Sequence, residues 1–191
     1  RDFFDYGCGK GTDVKGLNNL GYDALGWDPY HNSDQEKRAS SITNLGYVLN
    51  VIEKPQERIE VLKEAYSYTN ELLIVSVVVT GQEWCEGATP YGDGYITKRN
   101  TFQKFYQTQE ISTLIHQSLG VEPHPVELGI FYVFKSEELE EEFLENRARR
   151  SVDWNAIYER LGFEKPFRAP RTPRTNKFHE NADLVEEFRL N

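Results

Sequence analysis

Apolar positions along this chain fall in short continuous blocks, separated by stretches of helical period. Phe3, Phe4 and Tyr6 read as a buried strand that runs into Gly7-Cys8-Gly9-Lys10-Gly11. A helix follows from about Thr12, with Val14, Leu17 and Leu20 on its apolar face and Gly21 as its stop. Ala24–Trp27 is a second strand and ends in the acid Asp28. Ile42–Leu45 is a central strand, and Val48–Ile52 is a short segment leading into a helix. Pro55 suits the first turn of that helix, which runs to about Tyr68 with Ile59, Leu62, Ala65 and Tyr66 on one face. Leu72–Val79 is continuous, β-branched and apolar, as a strand covered on both faces should be, and Gly81 ends it. A further helix covers Thr108 to about Leu119 and stops at Gly120. Val121–Leu128 and Ile130–Phe134 close the pattern as two strands around Gly129.

Two regions break this rhythm. Residues 81–106 read as a long irregular stretch holding Trp84, Cys85, Tyr91, Tyr95, Lys98, Arg99, Phe102 and Tyr106. Loops of that length are usually functional or mobile. Basic residues interleaved with aromatics suit phosphate contacts with base stacking, and equally suit a lid that packs aromatics over the sheet. Beyond Ser136 an acidic helix runs from Glu137 to about Arg150, its acids early and Arg147, Arg149 and Arg150 late, as the helix dipole favours. A second helix is expected over Trp154–Leu161, then an extended, proline-punctuated basic stretch from Pro166 to Lys177, and a short terminal helix over Leu184–Leu190. The basic stretch reads as a tether or as a contact to a nucleic-acid backbone. The expected division is a domain over 1–145 and a helical and basic Pro-containing extension over 146–191.

Composition narrows the classes. A chain of 191 residues suits one domain with an appendage. The net charge of −9 argues against uniform electrostatic attraction to nucleic acid, while leaving room for a local basic patch. No apolar run reaches the length of a membrane span and no signal peptide is present. Cys8 and Cys85 make neither a disulfide framework nor a metal cluster, so a reducing cytoplasm is the expected setting. Methionine is absent and the chain opens directly on an apolar strand, which reads as a fragment of a longer protein.

The glycine-rich turn holds the chemistry. A P-loop needs Gly-x4-Gly-Lys-Ser/Thr, and that spacing is missing. The dinucleotide fingerprint Gly-x-Gly-x-x-Gly would put its third glycine at Thr12. What stands here is Asp-x-Gly-x-Gly-x-Gly, with Asp5 ending the strand. This resembles motif I of class I S-adenosylmethionine-dependent methyltransferases. An acid at the end of the second strand, about 20 residues beyond the turn, is placed to bind the ribose hydroxyls of an adenosine cofactor, and Asp28 stands there. Asn44-Leu45-Gly46-Tyr47 keeps the outer residues of the Asn-Pro-Pro-Tyr motif of DNA amino-methylating enzymes and replaces both prolines. In those enzymes the Asn accepts from the target amine and the aromatic ring stacks on a flipped base. Tyr47 reads equally as a packed residue at a strand end.

The combination is more particular. Asp-Tyr-Gly-Cys-Gly-x-Gly at 5–11, Gly-Trp-Asp-Pro-Tyr at 26–30, Asn44 through Glu53, Thr-Phe-Gln-Lys at 101–104 and Phe-Tyr-Val-Phe at 131–134 together resemble the methyltransferase family associated with bacterial DNA phosphorothioation systems. The likeness covers about residues 3–145. It implies an α/β, Rossmann-like class I methyltransferase sheet with a terminal β-hairpin. Residues 31–41 are polar and too few for the usual helix–strand–helix, so the third strand is expected to be missing or vestigial. It implies S-adenosylmethionine as cofactor, with Gly7, Cys8, Gly9 and Gly11 admitting it and Asp5 near its amino group. Asp28 would bind the ribose, while Pro29, with Trp27 or Tyr30, would cover the adenine. Asn44 and Tyr47 would face the acceptor. The expected acceptor is DNA, and other proteins of a DNA-modification or phage-defence system are expected partners. The competing expectation is a catalytically degenerate cofactor-binding or interaction module of such a system.

Overall fold

The computed structural model describes residues 1–79 and 87–149. The expectations for Gly81, Trp84 and Cys85, and for the segments within 150–191, lie outside the described residues. The chain divides into Arg1–Arg147 and Ala148–Asn191, and the following concerns the first unit.

Strand β1 (Asp2–Tyr6) leads through the glycine turn into helix α1 (Thr12–Asn19), then strands β2 (Asp23–Trp27) and β3 (Ser40–Gly46). A 3₁₀ turn (Val48–Asn50) precedes helix α2 (Pro55–Ser67), which has proline in its first turn, and strand β4 (Thr69–Ser76). Three short strands follow: β5 (Thr89–Tyr91), β6 (Gly94–Ile96) and β7 (Phe102–Gln103). Helix α3 (Thr108–Leu119), strands β8 (His124–Glu127) and β9 (Ile130–Phe134), and helix α4 (Glu137–Arg149) complete the unit. The main sheet runs β2-β1-β3-β4-β9-β8, with β1 to β4 parallel and β9 and β8 antiparallel. The terminal hairpin turns at Gly129 with φ 76°, and α3 ends on Gly120 with φ 72°.

Alternation along each strand sorts the side chains into two faces. Phe4, Leu45, Leu73, Val75, Phe131 and Val133 are fully buried in one core with Leu62 and Ala65 of α2 and Ile111 and Ile115 of α3. The opposite face is covered by α1 at one end. At the other, Phe143 of α4 packs its ring against Tyr132 and Phe134.

Among the described residues no strand lies beyond β2, so no third strand stands there and β2 is an edge. That edge is closed from within the chain. The Asn18 side chain donates to Ala24 O at 2.9 Å and accepts from Ala24 N at 3.0 Å, which places one amide where a neighbouring strand would pair. Past the strand end, Asn32 N donates to Asp28 O at 3.0 Å in an isolated antiparallel bridge. The returning segment puts Lys37 over the Trp27 ring at 3.7 Å, with its ammonium paired to Glu64 of α2. Polar residues too few for a βα unit therefore still cover the sheet.

The structure corrects three expectations. Residues 87–106 are not irregular: β5, β6 and β7 form a small antiparallel sheet. Its first hairpin pairs Tyr91 with Gly94 across Gly92-Asp93, and Gly92 has the positive φ that a two-residue hairpin turn of the II′ kind needs at its first position. The strand read as Leu72–Val79 is three residues out of place at each end, because β4 already pairs at Thr69 and gives way after Ser76, where Val77 N donates to Gly129 O. Asp5 does not end β1; Tyr6 still pairs with Trp27.

The small sheet is fastened by charge. Arg58, 2% exposed on α2, binds the Asp93 carboxylate through both terminal nitrogens and also donates to Ile52 O at 2.7 Å and Glu53 O at 2.8 Å. Buried Lys104 pairs with Glu110 at 2.7 Å and with Asp93 at 3.3 Å. Hydrogen bonds from the Arg58 guanidinium hold the Asp93 carboxyl down at about 2, below its ordinary 3.8. A carboxylate with a depressed folded-state pKa adds stability that is complete above its unfolded value and fades as pH falls through the folded one. Thermal stability is accordingly expected to fall between about pH 4 and pH 2. Asp93→Asn should flatten that part of a melting-temperature profile.

Candidate functional site

The C-terminal ends of β1, β2 and β3 open on a cleft of about 580 Å³. The glycine turn forms one side. Gly7, Gly9 and Gly11 have φ of 85°, 52° and 68°, in the left-handed region that only glycine enters without cost. Gly7 N and Cys8 N both donate to Trp27 O, at 2.8 and 3.1 Å, which ties the turn to the end of β2. At Gly7 a Cβ would come within 2.4 Å of the Val48 side chain, so the 3₁₀ turn after β3 closes directly on it. Gly26, which the sequence reading passed over, matters as much. A Cβ there would lie 2.8 Å from both Cys8 and Val14. Its absence lets the turn and α1 settle on the sheet.

Asp28 is the hub of the site. Its Oδ2 accepts from Gly9 N at 3.0 Å, and its Oδ1 accepts from Tyr30 N and His31 N at 2.9 Å each. A carboxylate offers about four lone-pair positions, so three backbone N–H groups leave one vacant, on Oδ2. Asn32 lies over the same turn, donating to Gly9 O at 3.2 Å and to Cys8 Sγ at 3.3 Å. Burial pushes the half-buried Cys8 thiol up.

Asp5 and Asn44 are register partners on adjacent strands, and Asn44 Nδ2 donates to Asp5 Oδ1 at 2.8 Å. Burial raises the Asp5 carboxyl. The bond sets the Asn44 amide with its nitrogen toward Asp5 and leaves its oxygen to accept. Tyr47, Gly7, Asp28 and Pro29 line the cleft; Asn44 does not. The structure therefore groups Asn44 with Asp5 beneath the turn and groups Tyr47 with Asp28 at the opening.

Tyr47 is one of two non-glycine residues with positive φ among the described residues, at 61°. Its N–H is held by Ser76 O at 2.8 Å, and its side chain is 56% exposed. Such strain in a residue that must leave its side chain in solvent fits a surface kept for contact. Tyr30, 91% exposed, stands on the same cleft. Trp27 and Tyr6 line the cleft as well, with ring centroids 5.1 Å apart and Lys37 over both rings. The cleft's ionisable lining is Asp28, Glu53, Glu57 and tyrosines; no Lys, Arg or His lines it. Among the described residues no three His, Cys, Asp or Glu side chains come together as a metal site, and no helix is long and apolar enough to cross a membrane.

The residues that sequence reasoning missed are Asn50, Arg58 and Asn32. Asn50 is fully buried. Its Nδ2 donates to Lys104 O at 2.6 Å and to Val78 O at 3.2 Å, and its Oδ1 accepts from Val78 N at 3.0 Å. Its backbone O takes Lys104 N at 2.7 Å. One side chain thus joins the cleft's 3₁₀ turn, the exit of β4 and the small sheet.

No protein-family model and no curated protein matches the chain. Solved structures do. A 1,6-didemethyltoxoflavin-N1-methyltransferase from Burkholderia thailandensis, crystallised with 1,6-didemethyltoxoflavin and S-adenosylhomocysteine, aligns with a TM-score of 0.53 and 11% identity over 71% of this chain and 71% of that one. The SAM-bound amino pentose methyltransferase CalS10 from Micromonospora echinaspora aligns at 0.49, with 10% identity over 71% and 83%. A SAM-dependent methyltransferase from Methanosarcina mazei aligns at 0.48, with 16% identity over 70% and 90%. At such identity the likeness to the first is one of fold. The chain has an α/β, Rossmann-like class I methyltransferase fold with a mixed sheet.

Proposed function

We propose that this domain is an S-adenosylmethionine-dependent methyltransferase that acts on DNA, at an exocyclic amine of a base, in a bacterial DNA-modification or phage-defence setting of the phosphorothioation-associated kind. One observation supports the cofactor above all. Gly7, the first of three left-handed glycines, and the Asp28 carboxylate, which holds Gly9 N, stand at the ends of β1 and β2 on a cleft that aromatic rings wall. The turn lets backbone approach the methionine part, and the vacant lone pair of Asp28 takes a ribose hydroxyl. Pro29, Trp27 and Tyr30 offer apolar and aromatic surface to adenine, and Cys8 sits within the turn. Asp5, buried beneath the turn and bonded to Asn44, would take the ammonium group.

When bound, the cofactor supplies a methyl group on a sulfonium, a good leaving group, so the residues of this chain need only position and desolvate. Tyr47 would stack on the acceptor and the Asn44 oxygen would accept from its amine. The neighbour from Burkholderia is named as an N1-methyltransferase of 1,6-didemethyltoxoflavin, which is compatible with a nitrogen acceptor.

A second reading has its own support. Asn44 does not line the cleft, both motif prolines are replaced, and no third strand stands beyond β2 among the described residues. These suit a cofactor-binding module without turnover, serving a DNA-modification complex. Calorimetry with S-adenosylhomocysteine tests the shared claim; no heat of binding would remove the cofactor from both readings. Transfer of labelled methyl from S-adenosylmethionine to DNA, RNA or protein then separates them. Label is expected in DNA and is expected to be lost in Asn44→Ala with cofactor binding intact. An unlabelled pool of acceptors alongside tight cofactor binding would favour the module.

A further inference from the structure

Among the described residues every charged group lining the cleft is a carboxylate, which disfavours phosphates there. A chain of net charge −9 has no general attraction for DNA either. Any DNA acceptor must be held by local cations beside the cleft. We propose that the small sheet is that element, with Lys98 and Arg99 taking phosphates of a single-stranded or extruded DNA segment whose base faces the cleft. The inference rests on the methyltransferase reading and adds the surface that binds the acceptor.

The geometry of the turn supports this. Lys98 and Arg99 stand exposed between β6 and β7 and make no ion pair among the described residues, whereas the two cations that dock the sheet, Arg58 and Lys104, are buried and paired. The turn that presents them is braced. Thr97 N donates to Thr101 O at 2.9 Å, Asn100 N donates to Thr97 O at 2.9 Å, and the two threonine hydroxyls share a hydrogen bond of 2.7 Å. Asn100 takes φ 58°, and Arg99 N reaches the Thr97 hydroxyl at 3.3 Å. The Lys98 stem crosses Gly87, where a Cβ would fall 2.1 Å from its Cε. Two adjacent charges on a braced turn lose little freedom when they meet anions.

The sheet is also registered to the cleft. Tyr91, 50% exposed on β5, stands beside Glu53 of the cleft lining, whose carboxylate pushes its hydroxyl pKa up. One guanidinium, Arg58, holds both the hairpin carboxylate Asp93 and the Ile52 and Glu53 carbonyls. By register Lys98 and Arg99 stand at the other end of β6 from Tyr91, where they would meet phosphates flanking the base.

The test is a salt titration of the full chain, saturated with S-adenosylhomocysteine, against a fluorescein-labelled single-stranded DNA of roughly 12 nucleotides. Each phosphate contact adds about 0.7 to the slope of log affinity against log salt. Lys98→Ala with Arg99→Ala should lower that slope by about 1.4 and weaken binding roughly 10-fold at low salt. S-adenosylhomocysteine affinity should stay unchanged, and Lys15→Ala, on the exposed side of α1, should leave both quantities alone. An unchanged slope in the double variant, or no DNA binding by the wild type, would overturn the proposal. So would tighter binding of the matching RNA, or displacement of the DNA by a poly-glutamate peptide at lower concentration. Failure of the wild type to bind S-adenosylhomocysteine would instead sink the cofactor reading, leaving the DNA result to be judged by itself.

Discussion

Asp28→Ala is expected to weaken S-adenosylhomocysteine binding by at least about 100-fold, or about 2.7 kcal/mol. Two losses combine. The first is direct: a carboxylate on a ligand hydroxyl forms a charge-assisted hydrogen bond, about twice as strong as a neutral one. The second is organisational. Gly9 N, Tyr30 N and His31 N all donate to this carboxylate, so its removal frees both the glycine turn and the segment that follows β2. A fully buried donor left without a partner costs about 1–3 kcal/mol; these are part-buried and cost less each, and the apo protein should still melt earlier. Asp28→Asn separates the contributions. Its single carbonyl oxygen can satisfy part of the backbone set, while its amide nitrogen faces a donor. Affinity measured well below the melting temperature of each variant should rank wild type, then Asn, then Ala. Wild-type affinity in the alanine variant would show that Asp28 braces the turn without touching the ligand.

Asn50→Ala should cost about 3–5 kcal/mol of unfolding free energy, the range for breaking a buried polar network. The substitution leaves Val78 N and Lys104 O without their side-chain partner around a fully buried position, while Val78 O keeps only the Tyr106 N–H. Packing adds to the loss, since the Tyr106 ring beside it is 1% exposed and its hydroxyl donates to Leu49 O at 3.1 Å. Urea denaturation gives the value. Asn50→Asp, of nearly equal shape, should be as damaging, because it replaces a donor to two carbonyls with a charge that repels them. A cost under about 1 kcal/mol would mean that solvent satisfies these groups after all.

Much of the main sheet was legible because its strands announce themselves by composition. Leu73 and Val75 lie in an unbroken apolar run, and helices α2 and α3 have their apolar stripes and proline or glycine boundaries where the spacing put them, whereas α1 half-buries Val14 and Leu17 and leaves Leu20 exposed. The glycine turn and Asp28 could be read because their chemistry is local in sequence. The small sheet could not. Strands of two or three residues are too short to show an alternation, although Tyr91-Gly92-Asp93-Gly94 contained a hairpin signal in its first glycine. Arg58 reads as a solvated helix residue until Asp93, far along the chain, is brought to it. Asn50 looks like loop punctuation for the same reason. Asn44 was legible in position and not in engagement: its strand neighbour Asp5 becomes a partner only when β1 and β3 pair. What escaped the sequence was long-range polar pairing, which leaves no periodic trace.

The Asn18 amide that occupies the outer rung of Ala24 bears on how this protein behaves in a crowd. A bare β-edge is a template on which a second molecule can add a strand, and such addition propagates into aggregates. Here the borrowed amide already occupies the N–H and C=O of Ala24, so an incoming chain would find that rung of the edge taken. One asparagine in the last turn of a helix thus blunts a margin beside which no further strand stands among the described residues.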